Sequence, residues 1–223
     1  RYILNIYKSK GNILKKNFVI VRRNFLFGFT TFCLLPKTIL AKQNNDALKR
    51  HFLGSNNAPI KIKEYFSLTC GHCANFHNNT LPKFKKKYID TGKVQLEFVD
   101  YPLDRLAIIA AALARTIPTE KGYIEAIAIL LKKQKQWAYS KKPIVELQSI
   151  SKLFGISSKN FDTTIQNVPL MQKIVNKMEK ETKSFNIEST PTFIINNKHK
   201  ISGALTFEEF EKKLLELTEY KNS

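Results

Sequence analysis

The segment APIKIKEYFS alternates cleanly. Ile60, Ile62, Glu64 and Phe66 fall on one face and Lys61, Lys63 and Tyr65 on the other, the period-two pattern of a strand. The apolar spacing then turns helical from about Cys73 to Ile89, with Pro82 expected to kink or split the helix because it cannot donate a backbone hydrogen bond. TGKVQLEFVDYPL predicts a turn and a second strand over Val94 to Asp100, and from Asp104 to about Phe185 the pattern is helical. Pro118 separates a strongly apolar first helix from EKGYIEAIAILLKKQKQW. Pro143 opens another helix that Gly155 closes, Ser157 or Ser158 can cap a short one around Phe161, and a further one follows Pro169. TFIINN and HKISGAL, joined at Asn196-Asn197, predict a hairpin. The last segment, TFEEFEKKLLELTEY, is amphipathic, with Thr206 and Glu209 at capping-box spacing.

The order is strand, cysteine-bearing helix, strand, helical block, hairpin, helix. This is an α/β domain whose first part, residues 58–103, and last part, residues 186–223, share one sheet, with residues 104–185 inserted between them as a helical unit. Residues 42–57 read as an N-terminal extension. No internal repeat or low-complexity linker interrupts the 223 residues.

Charge changes the reading of the first 41 residues. They hold eight Lys or Arg and no acid, and RRNFLFGFTTFCLL sets two arginines before an apolar run of eleven, Phe25 to Leu35. That run is too short for the ~20 residues of a membrane span and fits the apolar core of an export signal. Pro36 ends it, and cleavage is expected after Ala41, although Ile39 stands where a smaller residue is preferred. Arg22-Arg23 followed by Phe25-Leu26 resembles a twin-arginine signal, with a general secretory signal as the alternative. A buried first helix is disfavoured by the missing acids and by the polar stretch AKQNNDALKR. The chain does not begin with Met, and its two methionines are Met171 and Met178. The natural start is therefore expected near Val21, with residues 1–20 mis-assigned. An exported chain is expected in the periplasm.

Without residues 1–41 the chain keeps 29 basic against 18 acidic residues. Only six of its 37 basic residues are Arg, the side chain favoured for clamping phosphates and reading bases, so nucleic-acid binding is not expected. Lys83, Lys85, Lys86 and Lys87 read as the solvated face of a helix.

Cys33 leaves with the signal, which reduces the cysteines to Cys70 and Cys73 in YFSLTCGHCANFH. Zinc could take Cys70, Cys73 and His77, but a structural site wants four ligands, and His51 and His199 lack the spacing to complete it; no metal or other cofactor is expected. A structural staple closing a two-residue loop would restrict the unfolded chain very little. Redox chemistry remains. Residues i and i+3 at a helix start lie on one face, and the first sulfur meets the unpaired backbone N–H groups there, which favour the reactive thiolate. His72, between the two cysteines, can add positive charge or a hydrogen bond.

A strand, a C-x-x-C at a helix start and a late Thr-Pro before a strand form the thioredoxin-fold pattern. With the helical insertion and the motifs CGHCANFH, GKVQLEFVDYPLD and STPTFIIN, residues 55–220 resemble the DsbA-like thiol:disulfide oxidoreductases. The resemblance implies an exposed nucleophile at Cys70 and a buried resolving thiol at Cys73. It implies a cis-proline at Pro191, substrate contacts at Thr190 and Gly71, and at Glu64 the acid buried beneath the site. It also implies reduced exported proteins as clients, a DsbB-type membrane re-oxidant as partner, and a monomer. Gly-His, which is also the dipeptide of eukaryotic protein disulfide isomerases, stands between the cysteines where many DsbA proteins have Pro-His. An isomerase or reductase is therefore the alternative, and a non-catalytic binding or chaperone module with a static disulfide is another. Residues 42–58 are too few for the dimerisation domain of DsbC-type isomerases.

Overall fold

A computed structural model of the protein describes residues 48–218, and the alternating strand lies at the centre of its sheet. Strand β1 covers His51–Leu53, β2 Ile60–Phe66, β3 Val94–Asp100, β4 Thr192–Ile195 and β5 His199–Ser202. Their order is β1-β3-β2-β4-β5. β2 runs parallel to β3, and the other pairs are antiparallel. The parallel pair needs a crossover, and a long helix, α1, supplies it. The export signal, the cleavage after Ala41, Cys33 and the start near Val21 all lie outside the described residues.

α1 is one helix in four pieces: Gly71–Asn75, π-helical Phe76–Thr80, Leu81–Phe84, and π-helical Lys85–Ile89. It starts two residues before the expected Cys73 because Cys70, in extended backbone, acts as its N-cap residue. Pro82 neither ends nor splits it. Proline lacks the N–H that would reach back four residues, and the ladder shifts to wider bonds around it, with Leu81 N–H donating to the Phe76 carbonyl. The lysine face is solvated, paired with acids such as Glu208 and Glu211.

The insertion holds six helices: α2 Arg105–Arg115, α3 Glu120–Lys132, α4 Gln134–Trp137, α5 Pro143–Ser151, α6 Ser158–Ile165 and α7 Val168–Phe185. Helix α8, Phe207–Thr218, closes the described chain. Several expected caps form. Ser157, the first of the two candidate serines, accepts from Asn160 N–H at 3.2 Å. Gly155 ends the preceding turn at φ +83°, a conformation that favours glycine. Thr206 and Glu209 exchange both bonds of the capping box. Asn196 and Asn197 turn the hairpin with φ +49° and +54°.

One stretch differs from the expectation. Residues 42–57 read as an extension, yet His51–Leu53 pair with Phe98–Leu96 as an edge strand. Three residues are too few to alternate, so the partner strand and a stacking contact hold them: the His51 ring lies 3.6 Å from that of Tyr123, nearly parallel to it. Burial, with the nearby Arg115, lowers the His51 pKa to about 4, so His51 is neutral around neutrality.

Beneath the C-terminal end of β2, Phe76, Phe84, Phe193 and Phe210 pack with ring centroids 4.6 to 5.4 Å apart. Such pairs add about 0.5–1.5 kcal/mol each beyond their buried area. They fix α1 and α8 on the sheet, and with them the position of the first turn of α1. On the opposite face Tyr65, Val99, Ile187 and Ile194 form a smaller cluster against Phe185 of α7.

Candidate active site

After Phe66 the chain turns once, with Cys70 N–H donating to the Ser67 carbonyl at 3.1 Å, and enters α1 at Gly71. The turn is pinned from two sides. Asp104 caps α2 by accepting from Ala107 N–H and also accepts from the Thr69 hydroxyl, both at 2.7 Å. Gln134, at the start of α4, is buried and donates to the carbonyls of Leu68 at 2.8 Å and Cys70 at 3.0 Å. The insertion therefore reaches back to hold the cysteine loop.

Both cysteines are free thiols. Cys70 is half-buried at the rim, and Cys73 is fully buried one helical turn on. The Cys70 pKa is lowered to about 5 from 9.0. Hydrogen bonding from the Cys73 thiol is the largest cause; burial opposes it, and the Thr190 side chain and the backbone N–H groups of Cys73 and His72 assist. As a thiol, Cys70 reaches the Thr190 carbonyl at 3.3 Å. A thiolate cannot donate, and the buried Thr190 hydroxyl, which has no other partner, is the group able to turn to it. The Cys73 pKa is pushed strongly up, first by burial, then by its bond to Cys70 and by the charges of Cys70 and Glu64.

The other expected site residues surround this pair. Thr190 precedes Pro191, and the bond between them is cis. The Pro191 carbonyl accepts from Gly203 N–H at 2.8 Å, which ties the turn to the hairpin. Gly71 is exposed, and a Cβ there would lie 3.4 Å from the Tyr139 hydroxyl. The His72 imidazole is exposed to solvent; the bond this residue makes to the Cys70 sulfur comes from its backbone N–H. Glu64 sits mid-sheet, between Phe98 and Phe193 in register, and is 0% exposed.

Two residues escaped the sequence reading. Gln134 gave no signal, because a glutamine at a helix start looks solvated until its tertiary partner is known. His77, weighed only as a zinc ligand, bonds Glu64 instead, with Nε2 2.8 Å from Oε1. Among the described residues no group of three or more His, Cys, Asp or Glu is placed to hold a metal ion, and no helix is long and apolar enough to cross a membrane.

Known proteins give a concordant result. A family model described as thioredoxin matches residues 46–216. A Rickettsia typhi protein provisionally named a protein-disulfide oxidoreductase is 32% identical over 73% of this chain and 59% of its own length, and a Rickettsia conorii counterpart is 32% identical over 65% and 52%. The chain thus spans little more than half the length of these curated relatives. The crystal structure of α-DsbA1 from Wolbachia pipientis matches with a TM-score of 0.69 and 32% identity, over 76% of this chain and 90% of that one. The DsbA structure of Chlamydia trachomatis, 21% identical over 75% of this chain and 89% of its own with a TM-score of 0.63, shares the fold. With the sheet order, the paired thiols at a helix start and the cis-proline beside them, these matches establish that the chain belongs to the thioredoxin family, among its DsbA-like thiol:disulfide oxidoreductases.

Proposed function

We propose that this chain is an exported, monomeric oxidase of protein thiols, acting in the periplasm through Cys70-Gly71-His72-Cys73. A client thiolate attacks Cys70 Sγ of the oxidised protein. The Cys70–Cys73 bond breaks, a mixed disulfide forms on Cys70, and the electron pair leaves on Cys73, which takes up a proton. A second client thiolate attacks the client sulfur of that mixed disulfide and expels Cys70 as a thiolate. The client ends with a disulfide and the protein with a dithiol. A membrane partner of the DsbB type then removes the two electrons: Cys70 attacks the partner's disulfide, and Cys73 gives up its proton and resolves the intermediate. Glu64, buried and near enough for its charge to push the Cys73 pKa up, is the group proposed to carry that proton. Thr190 and Gly71 offer backbone to the client chain beside Pro191, and His72 supports the Cys70 thiolate at the rim through its backbone N–H.

The observation that carries this reading is the opposite displacement of the two thiols. A rim sulfur with a pKa of about 5 is a good leaving group and a stable thiolate. A buried thiol whose pKa is pushed far up is a poor one. Stabilising the reduced form in this way makes a dithiol pair oxidising. The export part rests on the leader pattern, and a reporter active only outside the cytoplasm, fused to residues 21–45, tests it.

The deciding experiment for the chemistry is equilibration of the protein with glutathione buffers, together with oxidative refolding of a reduced client. The oxidase is reduced readily by glutathione and inserts disulfides stoichiometrically. Resistance to glutathione would mark a static bridge. Rearrangement of scrambled disulfides without net insertion would mark an isomerase.

A further inference from the structure

His77 projects from the first π-helical segment of α1 into the interior. Its side chain is 3% exposed and that of Glu64 0%. Three rings enclose it: Phe66 at 5.8 Å between centroids, Phe76 at 5.9 Å and Phe98 at 5.8 Å. Glu64 Oε1 takes the His77 Nε2 bond at 2.8 Å, whereas Oε2 is buried with no hydrogen-bond partner. A buried carboxylate oxygen without a donor costs free energy, and an unmet site of this kind calls for a reason. Cys73, which feels the charge of Glu64, offers one.

We propose that His77 is a positioning residue for thiol exchange: it holds Oε1 of Glu64, which leaves Oε2 free to receive the Cys73 proton when Cys73 resolves a mixed disulfide on Cys70. The proton passes from Cys73 Sγ to Glu64 Oε2, Cys73 Sγ bonds to Cys70 Sγ, and the partner's sulfur leaves as a thiolate with the electron pair of the broken bond. This rests on the proposed thiol chemistry and adds a residue to it.

The other groups facing the pair are poorly suited to that role. Tyr123 of α3 also feels the charge of Glu64, but burial holds its phenol well above its ordinary range, and its hydroxyl points to Asp100 at 3.5 Å. Asp100 is engaged in a buried ion pair with Arg115, and His51 of β1 is stacked on Tyr123. Among the described residues, Glu64 Oε2 is the buried carboxylate oxygen left without a hydrogen-bond partner, and His77 fixes its orientation through Oε1.

The test follows the reaction of the reduced protein with oxidised glutathione by stopped flow. The first step, attack by Cys70, depends on glutathione concentration; the second, resolution by Cys73 with release of glutathione, does not. His77→Phe keeps the aromatic filling and removes the bond to Glu64. It should leave the first step unchanged and slow the second at least tenfold near neutral pH. His77→Gln, which can still donate to Oε1, should recover the second step to within about threefold. His77→Asn is too short to reach and serves as an independent loss variant should the phenylalanine protein fail to fold. In the Glu64→Gln background His77→Phe should slow the second step no further, since the two residues act as a unit.

A second step untouched by His77→Phe and His77→Asn, or slowed by the same factor whether or not Glu64 is present, would overturn the assignment. Absence of the first step in the unaltered protein would instead remove the thiol-exchange reading beneath it.

Discussion

Cys70 and Cys73 are the same side chain three residues apart on one helix, and their surroundings drive them in opposite directions. At the rim, Cys70 meets donors: the Cys73 thiol, the Thr190 side chain and two backbone N–H groups, against partial burial. At the floor, Cys73 meets desolvation and the neighbouring charges of Cys70 and Glu64. Burial opposes the anion at both sulfurs, and the supply of donors decides the outcome. The first turn of α1 creates the contrast, because it turns its unpaired N–H groups towards residue 70 and carries residue 73 into the core.

The harshest way to break the contrast is to remove one sulfur at a time. Cys70→Ser is expected to abolish disulfide transfer to a reduced client. Cys73→Ser is expected to accumulate mixed disulfides, because the rim nucleophile survives without its resolving partner. Non-reducing gels of each variant with a reduced client check both. Trapping by the Cys70→Ser protein at the same level would mean that the two roles are assigned the wrong way round.

Titration sharpens it. Alkylation of the reduced protein should be half-maximal near pH 5 at Cys70 and fall about tenfold per unit below that. At pH 7, Cys73 should react more than about a hundredfold more slowly, because its pKa lies above 9.0. The same shift predicts a stability profile. A depressed folded-state pKa contributes stability that is full above the unfolded value and lost as pH falls through the folded one. The reduced protein should therefore lose stability, relative to the oxidised form, as pH drops from 9 towards 5, and level off below about 5. Cys73, displaced upward in the folded state, keeps its proton in both states below about pH 8 and adds no slope there. Denaturant titrations of both redox forms check this, and parallel profiles would contradict the rim assignment.

Gln134 joins the two halves of the comparison, because its amide holds the loop between β2 and the cysteines. Gln134→Ala takes the side-chain donor from the buried Leu68 carbonyl and one of two donors from the Cys70 carbonyl, which keeps its bond from Ala74 N–H. The expected loss is about 1–3 kcal/mol, read as a lower urea midpoint at unchanged slope.

How far the sequence revealed these features follows from the range of the contacts. β2, β3, the hairpin and the caps were legible, because periodicity and capping are written within a few residues. The C-x-x-C was legible as chemistry for the same reason, since both sulfurs lie on one turn. β1 was not: three residues carry no period, and its partner lies more than forty residues on. Nor were the π-helical turns, which depend on how the ladder rearranges around Pro82. Gln134 lies 66 residues from Leu68, and His77 13 from Glu64. Neither pairing leaves a local mark, and His77 looked like a surplus ligand because its partner stands on another element. Glu64 was the intermediate case: alternation put a carboxylate on an apolar face, and only the fold around it places that face in the core.

The smallest expected effect concerns His72, at the outer edge of the rim. Its position between the cysteines makes the imidazole look like the group that lowers the Cys70 pKa. The ring, however, is exposed, and the contact this residue makes with the sulfur is its backbone N–H. His72→Ala keeps that N–H and removes only a solvated ring. A screened pair of exposed charges is worth about 0–1 kcal/mol, and one pKa unit corresponds to about 1.4 kcal/mol. The half-maximal alkylation pH of Cys70 should therefore rise by less than about one unit, with a correspondingly slight loss of oxidising strength. Thr190→Val, which removes a side-chain donor named among the causes of the shift, should raise it further. A larger shift for His72→Ala than for Thr190→Val would mean that the ring swings in to bond the thiolate, and that the rim depends on a side-chain charge as well as on backbone geometry.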